Sequence, residues 1–386
     1  MNNKIKEGYV KMRASLIVLI LLVLCAGCWD MKDINSLAIV SLAGVDKNPE
    51  TGNFTAYYQV INPTSLSTRT GASAKAVVYN FQFKDYSHGR FNEQTGMSMP
   101  RKFFMADLQS YIISERYARQ GILDLINFIE LSPEQRSNVI LFITDSPMYT
   151  IMNSFTPLDR IPGRFIRSLT DQYKPNFSMS LYPIRFKDIA REIHLHTPIV
   201  IPIIHYSGEN PSSNSDRVEK IDANKDGMSF SGGAVLIHAR MVGNLDEQSK
   251  NLFFILNKKY RQRTETVKIN GDFVDVEAQN IQVQRKWNTP GSHLLIDLYA
   301  DLRLMNNQQK SKMTLQNLHQ IEKEFNQTLE KELKSYEQMG TNRGWDLLGI
   351  QDNGGNEMTW RQTKVTIHVH SKMTTIGNTS TPYLLE

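Results

Sequence analysis

The sequence predicts an α+β chain of more than one domain, with mostly antiparallel or mixed sheets and packed helices, behind a cleaved N-terminal signal. Three observations carry that expectation. Strand-like and helix-like segments come in runs instead of strict β-α alternation, which disfavours a doubly wound parallel sheet. A polar stretch at 206–216 (YSGENPSSNSD) interrupts the apolar patterning, which restarts beyond it. From Thr314 to Met339 apolar residues then recur every three or four positions, the pattern of one long amphipathic helix on a sheet.

The elements follow in chain order. Lys4, Lys6, Lys11 and Arg13 form a basic start, and Ala14 to Gly27 is a run of apolar and small residues. That run falls short of the ~20 residues a spanning helix needs but suits a secretory signal. It ends in Leu24-Cys25-Ala26-Gly27-Cys28. Small residues before a cysteine resemble the lipobox of bacterial lipoproteins, so residues 1–27 read as a lipoprotein signal peptide. The resemblance implies that the Cys28 thiol carries diacylglycerol and that the peptide bond before it is cut. Cys25 departs from the aliphatic residue usual there, and Met12 offers a second start that would shorten the signal. Cys25 and Cys28 also spell Cys-x-x-Cys, but a redox pair needs a strand before it and a helix N-terminus beneath it.

Ile34–Val45 and Phe54–Ile61 are strand-like, with dense turn chemistry at 48–53 between them, which predicts a hairpin. A third strand is expected at Ala76–Phe83 and a helix at Ser87–Met99, ending before Pro100. Asp107–Ile113 reads as a strand, after which Ser114 caps a helix that Gly121 re-aims before Ile122, Leu125, Ile126 and Ile129 continue it. Val139–Thr144 is a buried-type strand. Pro162-Gly163 opens an amphipathic stretch, and the prolines of Pro198–Ile204 predict a strand at a sheet edge.

The expected domains are a region at 28–205, the linker at 206–216, and a C-terminal domain at 217–386. In the latter, Ser229–Arg240 is a strand entering a turn at Val242-Gly243-Asn244, and Asp246 caps a helix. Thr266–Ile269, Phe273–Arg285 and His293–Leu304 read as antiparallel strands, the long helix follows, and Val365–Thr374 closes the fold.

Composition narrows the function. The 386 residues carry a net charge of +5, but removing 1–27 takes away four basic residues and one Glu. The mature chain keeps 40 basic and 38 acidic residues, a balance of +2 that argues against nucleic acid. Arg101-Lys102 beside Phe103-Phe104 is too short for a nucleic-acid patch. The only mature cysteine is the lipidated one, which excludes a disulfide and a cysteine nucleophile.

Asp222-Ala-Asn224-Lys-Asp226-Gly227 matches the first half of a calcium loop, but the twelfth position is Gly233 where a bidentate Glu is required, so it reads as a polar turn. His194-Leu-His196 and His368-Val-His370 would each put two imidazoles on one strand face, yet no third ligand cluster stands near. Hydrolase and phosphate-loop motifs are absent. Ser231-Gly232-Gly233-Ala234 reads as a bulge or close backbone approach. No catalytic residue, metal or cofactor is expected, and Cys28 is the one site residue.

Several segments together resemble the Ger(x)C family, the lipoprotein C subunits of nutrient germinant receptors in endospore-forming bacteria. They are Cys28-Trp29-Asp30 with Asp33-Ile34, Leu37-Ala38, Val40 and Gly44-Val45-Asp46; the block Ile112–Ile122; and Gly232-Gly233-Ala234-Val235 through Met241-Val242-Gly243 to Leu245-Asp246-Glu247. Asp346-Leu347-Leu348-Gly349 after the long helix and Thr374-Thr375-Ile376-Gly377 complete the pattern, with Gln351 standing where a second Gly is usual. The resemblance covers essentially the whole mature chain. It implies about three α+β domains, hence an internal boundary near 145–160. It also implies a non-enzymatic subunit on the outer face of the spore inner membrane, beside integral-membrane A and B subunits. A solute-binding lipoprotein of a transporter is the alternative, and its two α/β lobes are not seen in this pattern.

Overall fold

The computed structural model describes residues 13, 15, 36–62, 77–132, 136–154, 156, 159, 161–171, 181–208, 227–289, 291–309, 313–354 and 360–375. Cys28, the signal segment apart from Arg13 and Ser15, positions 209–226 (which hold most of the expected linker and calcium-like loop) and residues 376–377 lie outside them.

β1 (Leu37–Lys47) and β2 (Phe54–Ile61) form the expected antiparallel hairpin, with Val45 opposite Ala56. Its turn closes because the Asn48 Oδ1 accepts the N–H groups of Glu50 and Thr51 at 2.8 and 3.2 Å. β3 (Val78–Asp85) extends the hairpin, and α1 (Phe91–Ser98) stops before Pro100 as expected. A short β4 (Lys102–Phe104), which the sequence did not announce, runs parallel beside the start of β1. β5 (Ser110–Ser114) runs parallel to β1, and the Ser114 Oγ caps α2 (Glu115–Gln120) by accepting the Tyr117 N–H at 3.2 Å. α3 (Leu123–Leu131) follows and leads to β6 (Ile140–Thr144), parallel to β5.

α4 (Met148–Asn153), α5 (Pro162–Asp171) and α6 (Phe186–Glu192) precede β7 (Ile199–Ser207). β8 (Gly227–Ile237) and β9 (Arg240–Leu245) form a hairpin, and Asp246 caps α7 (Glu247–Leu256), accepting the Ser249 N–H at 2.7 Å. Among the described residues these strands make one nine-stranded mixed sheet in the order β3-β2-β1-β5-β6-β7-β8-β9, with β4 at the side of β1. The strands on either side of 209–226, β7 and β8, are hydrogen-bonded neighbours in it.

The expectation that prolines put the strand at 198–204 on a sheet edge is overturned, since β7 lies between β6 and β8. Pro202 is tolerated because β8 bulges opposite it: Pro202 pairs with Gly233 and Ile204 with Phe230, leaving an extra residue at 231–232. Pairing with β6 begins only at Ile203, so the missing N–H falls where no ladder bond is called for. The Ser231–Ala234 segment is thus the bulge and close approach its glycines suggested. Gly232 has φ +69°, and a Cβ there would sit 2.1 Å from the Leu245 carbonyl oxygen.

The turn placed at Val242-Gly243-Asn244 also moves. The chain reverses at His238-Ala239, both with positive φ, the geometry a two-residue hairpin requires. Distant groups hold it there: the Ala239 carbonyl accepts the Ile122 N–H at 2.9 Å, and Arg240 Nε donates to the Arg119 carbonyl at 2.9 Å. Gly243 serves another purpose, because a Cβ on it would lie 2.5 Å from the Trp345 ring.

The second sheet has the order β10 (Arg263–Ile269), β11 (Asp272–Thr289), β12 (His293–Asn307) and β13 (Lys364–Thr375). The first three are antiparallel as read, while β13 runs parallel to β12. The long helix, α8 (Leu315–Arg343), buries Ile321, Phe325, Leu329, Leu333 and Tyr336. It also seals the open edge of β13, since Glu330 and Glu322 accept the Val369 and Met373 N–H groups at 2.8 and 2.7 Å. Gln282, Gln284, Tyr299 and His370 are exposed on the face away from the helix.

Candidate functional site

Cys28, the one residue the sequence marks for function, lies outside the described residues. The His-x-His pairs fare differently from each other. His194 and His196 sit in a turn after α6 and not on a strand. His196 donates its backbone N–H to Asp352 at 3.1 Å. His368 and His370 do share a face of β13, with ring centroids 6.3 Å apart, and His370 stacks on Tyr299 at 5.0 Å. Among the described residues no three His, Cys, Asp or Glu side chains gather to hold a metal ion.

One Ser, His and Asp group does come together at the ends of β6 and β7. The Ser146 Oγ and Asp145 Oδ1 lie 3.3 and 2.8 Å from His205, but both approach the same ring nitrogen, Nδ1. A proton relay needs the hydroxyl on one nitrogen and the carboxylate on the other. The Ser146 Oγ instead accepts the Tyr206 N–H at 3.0 Å, so the group ties two strand ends together.

A polar cluster lies against the first sheet, with His88 and Tyr117 buried and Asp124 at its exposed edge. Tyr117 donates to Asp124 at 2.5 Å, and the Lys47 Nζ is 3.2 Å from the other Asp124 oxygen and 4.5 Å from the Phe54 ring centroid. The His88 Nε2 is 3.2 Å from the Tyr117 hydroxyl. With the Tyr117 proton committed to Asp124, that ring nitrogen supplies the hydrogen of the bond. Burial between Phe54 and Phe128 pushes the His88 pKa down to about 4. Burial works to raise Asp124, but the Tyr117 and Lys47 bonds outweigh it and the net shift is downward. Beside it, Asp46 is held low in the same way: burial opposes, and Arg116 and Ser114 prevail, with Arg116 Nε at 2.6 Å.

The seam between the two sheets is the most extensively built site. Arg285 on β11 donates to the Leu348 and Leu256 carbonyls at 2.7 and 3.0 Å, capping the C-terminal end of α7. Asp346 is buried and receives the Ile350 and Gln351 N–H groups, each at 2.8 Å. Burial raises its pKa. Gln351 starts a short 3-10 turn and is not among the positive-φ residues, so the departure from a second glycine costs no strain. Asp352 accepts from the Thr197 N–H and hydroxyl at 2.7 and 2.5 Å, joining the second sheet's loop to the segment before β7. A cavity of about 380 Å³ opens here, lined by Tyr182, Ile184, Phe253 and Phe254 and rimmed by Asp188, Arg191 and Asp352. The rim charges are already engaged: Asp188 accepts the Arg185 N–H at 3.0 Å, and Arg191 donates to Glu192 at 2.8 Å.

Sequence reasoning named Asp346-Leu347-Leu348-Gly349 but missed Arg285 and Asp352. A lone Arg within the apolar pattern of β11 was the available signal for Arg285; Asp352 had none, because its partners lie over 150 residues away. These groups lock backbone segments of the two sheets to one another and form part of the architecture.

Comparison with known proteins agrees with that architecture. Residues 30–206 match the model of the spore germination protein N-terminal domain, and residues 231–377 match the spore germination B3/GerAC-like C-terminal domain. Spore germination protein KC of Bacillus subtilis (strain 168) is 21% identical over 195 residues, which is 49% of this chain and 47% of that protein. The YfkR protein of the same strain is 23% identical over 155 residues, 39% of this chain and 40% of its own length. The match thus spans about half or less of these curated relatives. The crystal structure of the GerBC protein superposes with a TM-score of 0.50 at 12% identity, over 86% of this chain and 96% of that one, which shows a common fold. The chain belongs to the Ger(x)C family of spore germination proteins.

Proposed function

We propose that the chain is a lipid-anchored, non-enzymatic C subunit of a nutrient germinant receptor. It is held through diacylglycerol on Cys28 to the outer face of the spore inner membrane, beside integral-membrane A and B subunits. The observation that carries this reading is the ordered match to both germination domains, immediately preceded by a signal and lipobox ending at Cys28.

Physical chemistry supports the mode of action. The lipobox ending at Cys28 makes a lipid the attachment this reading rests on. A diacylglycerol has two chains, which is what stable anchoring takes. Anchoring raises the local concentration of the folded body around membrane partners, so weak protein contacts suffice. The polar clusters described above pair their charges with one another and with backbone, which fits a subunit that acts by contact.

Cys28→Ala tests the anchor. The variant is expected to fold normally, to leave the membrane fraction and to impair nutrient germination. Normal germination at wild-type protein level, with the variant still in the membrane fraction, would sink the anchoring claim. A nutrient titration of the soluble body giving about micromolar affinity would favour the transporter-type solute-binding reading instead.

A further inference from the structure

The face of the second sheet away from α8 holds a polar trough. Alternation along β12 puts Asp297, Tyr299 and Asp301 on that face. Tyr299 pairs with Gln282 on β11 and His370 on β13, Asp297 pairs with Gln284 and His368, and Asp301 pairs with Lys372. Between Gln279 and Gln282, β11 sets two residues against one of β12, a bulge of the kind that bends long strands. Asn280 takes a positive φ there and donates to Asp301 at 2.9 Å. The cavity on this face measures about 460 Å³ and is lined by Asn280, Gln282, Gln284, Tyr299, His370 and Lys372.

Two observations point to a ligand. Asp297 is 8% exposed, yet its carboxylate accepts no hydrogen bond among the described residues; His370 Nε2 stands 3.6 Å away, beyond hydrogen-bond reach. A carboxylate so nearly buried requires a donor from outside the chain, water or ligand. The side chains of Gln282, Gln284 and Lys372 likewise make no hydrogen bond among the described residues. The second observation is a ring platform. His370 stacks on one face of Tyr299 with 23° between the planes, and Tyr299 remains 39% exposed.

The chemistry of the face selects among ligands. It mixes the acceptor-only Asp297, the donor-only Lys372 and amides that do both, which complements hydroxyl groups, themselves donors and acceptors. Charge balances across the rows, Asp297 and Asp301 against Lys286 and Lys372, while the adjoining Glu277 and Arg303 pair at 2.7 Å. A polyanion therefore meets no net attraction here. A face without an apolar centre also lacks the anchors of a protein interface. We propose that this face binds a glycan chain: a sugar ring lays its C–H face on Tyr299, and hydroxyls bond Gln282, Gln284 and Asp297. The rows recur about every 7 Å along the strands, so successive rings of one chain meet successive rows. The binding face lies on the second sheet and does not involve Cys28, so its failure leaves the anchor untouched.

The test titrates the full chain, in a detergent that carries no sugar, with cellotetraose, chitotetraose, maltotetraose and mannotetraose in a calorimeter. At least one is expected to bind with a Kd below about 1 mM and at least about tenfold tighter than its monosaccharide. Tyr299→Ala and Asp297→Asn should each weaken that binding at least about tenfold, with thermal unfolding measured alongside to show that both variants fold. Lys334→Ala, exposed on α8, should leave it unchanged. No binding of any of the four at about 10 mM overturns the proposal. Binding that survives both trough substitutions places the sugar elsewhere and overturns it too. Equal affinity for monosaccharide and tetrasaccharide overturns the chain reading. Binding of dextran sulfate in preference to every neutral sugar assigns the face to a polyanion and likewise overturns the glycan.

Discussion

The nine-stranded and four-stranded sheets bury their strands in different ways. In the first, β5 and β6 are buried at every position, because parallel neighbours need crossover helices and those helices cover the faces. A second apolar cluster with Phe142, Ile112, Met148 and Ile166 forms separately from the large one. In the second sheet, hairpins join the antiparallel strands, α8 covers one face, and β12 carries buried Leu294, Ile296, Leu298 and Leu302 against an exposed Tyr299. The difference teaches where each sheet can meet another molecule. The first offers its strand ends and helix termini, and the second offers a broad polar face.

Four substitutions or titrations press on that contrast, the first with the largest effect. Phe142→Ala, in a strand covered on both sides, is expected to cost about 3–5 kcal/mol, read from the urea midpoint at constant slope. A loss under about 1 kcal/mol would show that the strand is not doubly packed.

Acid comes next, and it acts on the first sheet through His88. Its folded pKa of about 4 lies below the ordinary 6.5, so the folded state prefers the neutral ring. The stabilisation is complete above about pH 6.5 and is lost as the pH falls toward 4, by up to about 3 kcal/mol. His88→Phe should flatten that slope in denaturation curves taken from pH 7 to 4; an unchanged slope would assign the acid sensitivity elsewhere.

Gly243→Ala probes the seam, where the added carbon would meet the Trp345 ring at 2.5 Å. A loss of about 1–3 kcal/mol is expected, with a single unfolding transition becoming broader or splitting. A neutral result would mean the sheets are not locked there. Tyr299→Ala, on the open face of the second sheet, should change stability by less than about 1 kcal/mol despite its stack on His370. A larger loss would show that this face is structural.

Much of the fold was legible because its signals are local. The Asn48 turn, the Ser114 and Asp246 caps and the three-to-four spacing of α8 each depend on residues within a turn or two. The seam was only partly legible. Asp346 closes on residues four and five positions ahead, whereas Asp352 reaches Thr197 and Arg285 reaches Leu348, contacts that no local pattern encodes.

By itself the sequence determined most element types and the family, since these rest on short-range preference and ordered motifs. Only the tertiary structure decided strand order and direction. Pro202 sits inside a sheet because a bulge formed opposite it on β8, and the chain turns at His238-Ala239 because α2, α3 and neighbouring backbone hold it there. Glycine at 243 is spent on a ring 102 positions later in the chain, not on a turn. The physical reason is the same in each case. Backbone propensity is set by neighbours in the chain, whereas pairing and close approach are set by whichever groups the folded core brings alongside.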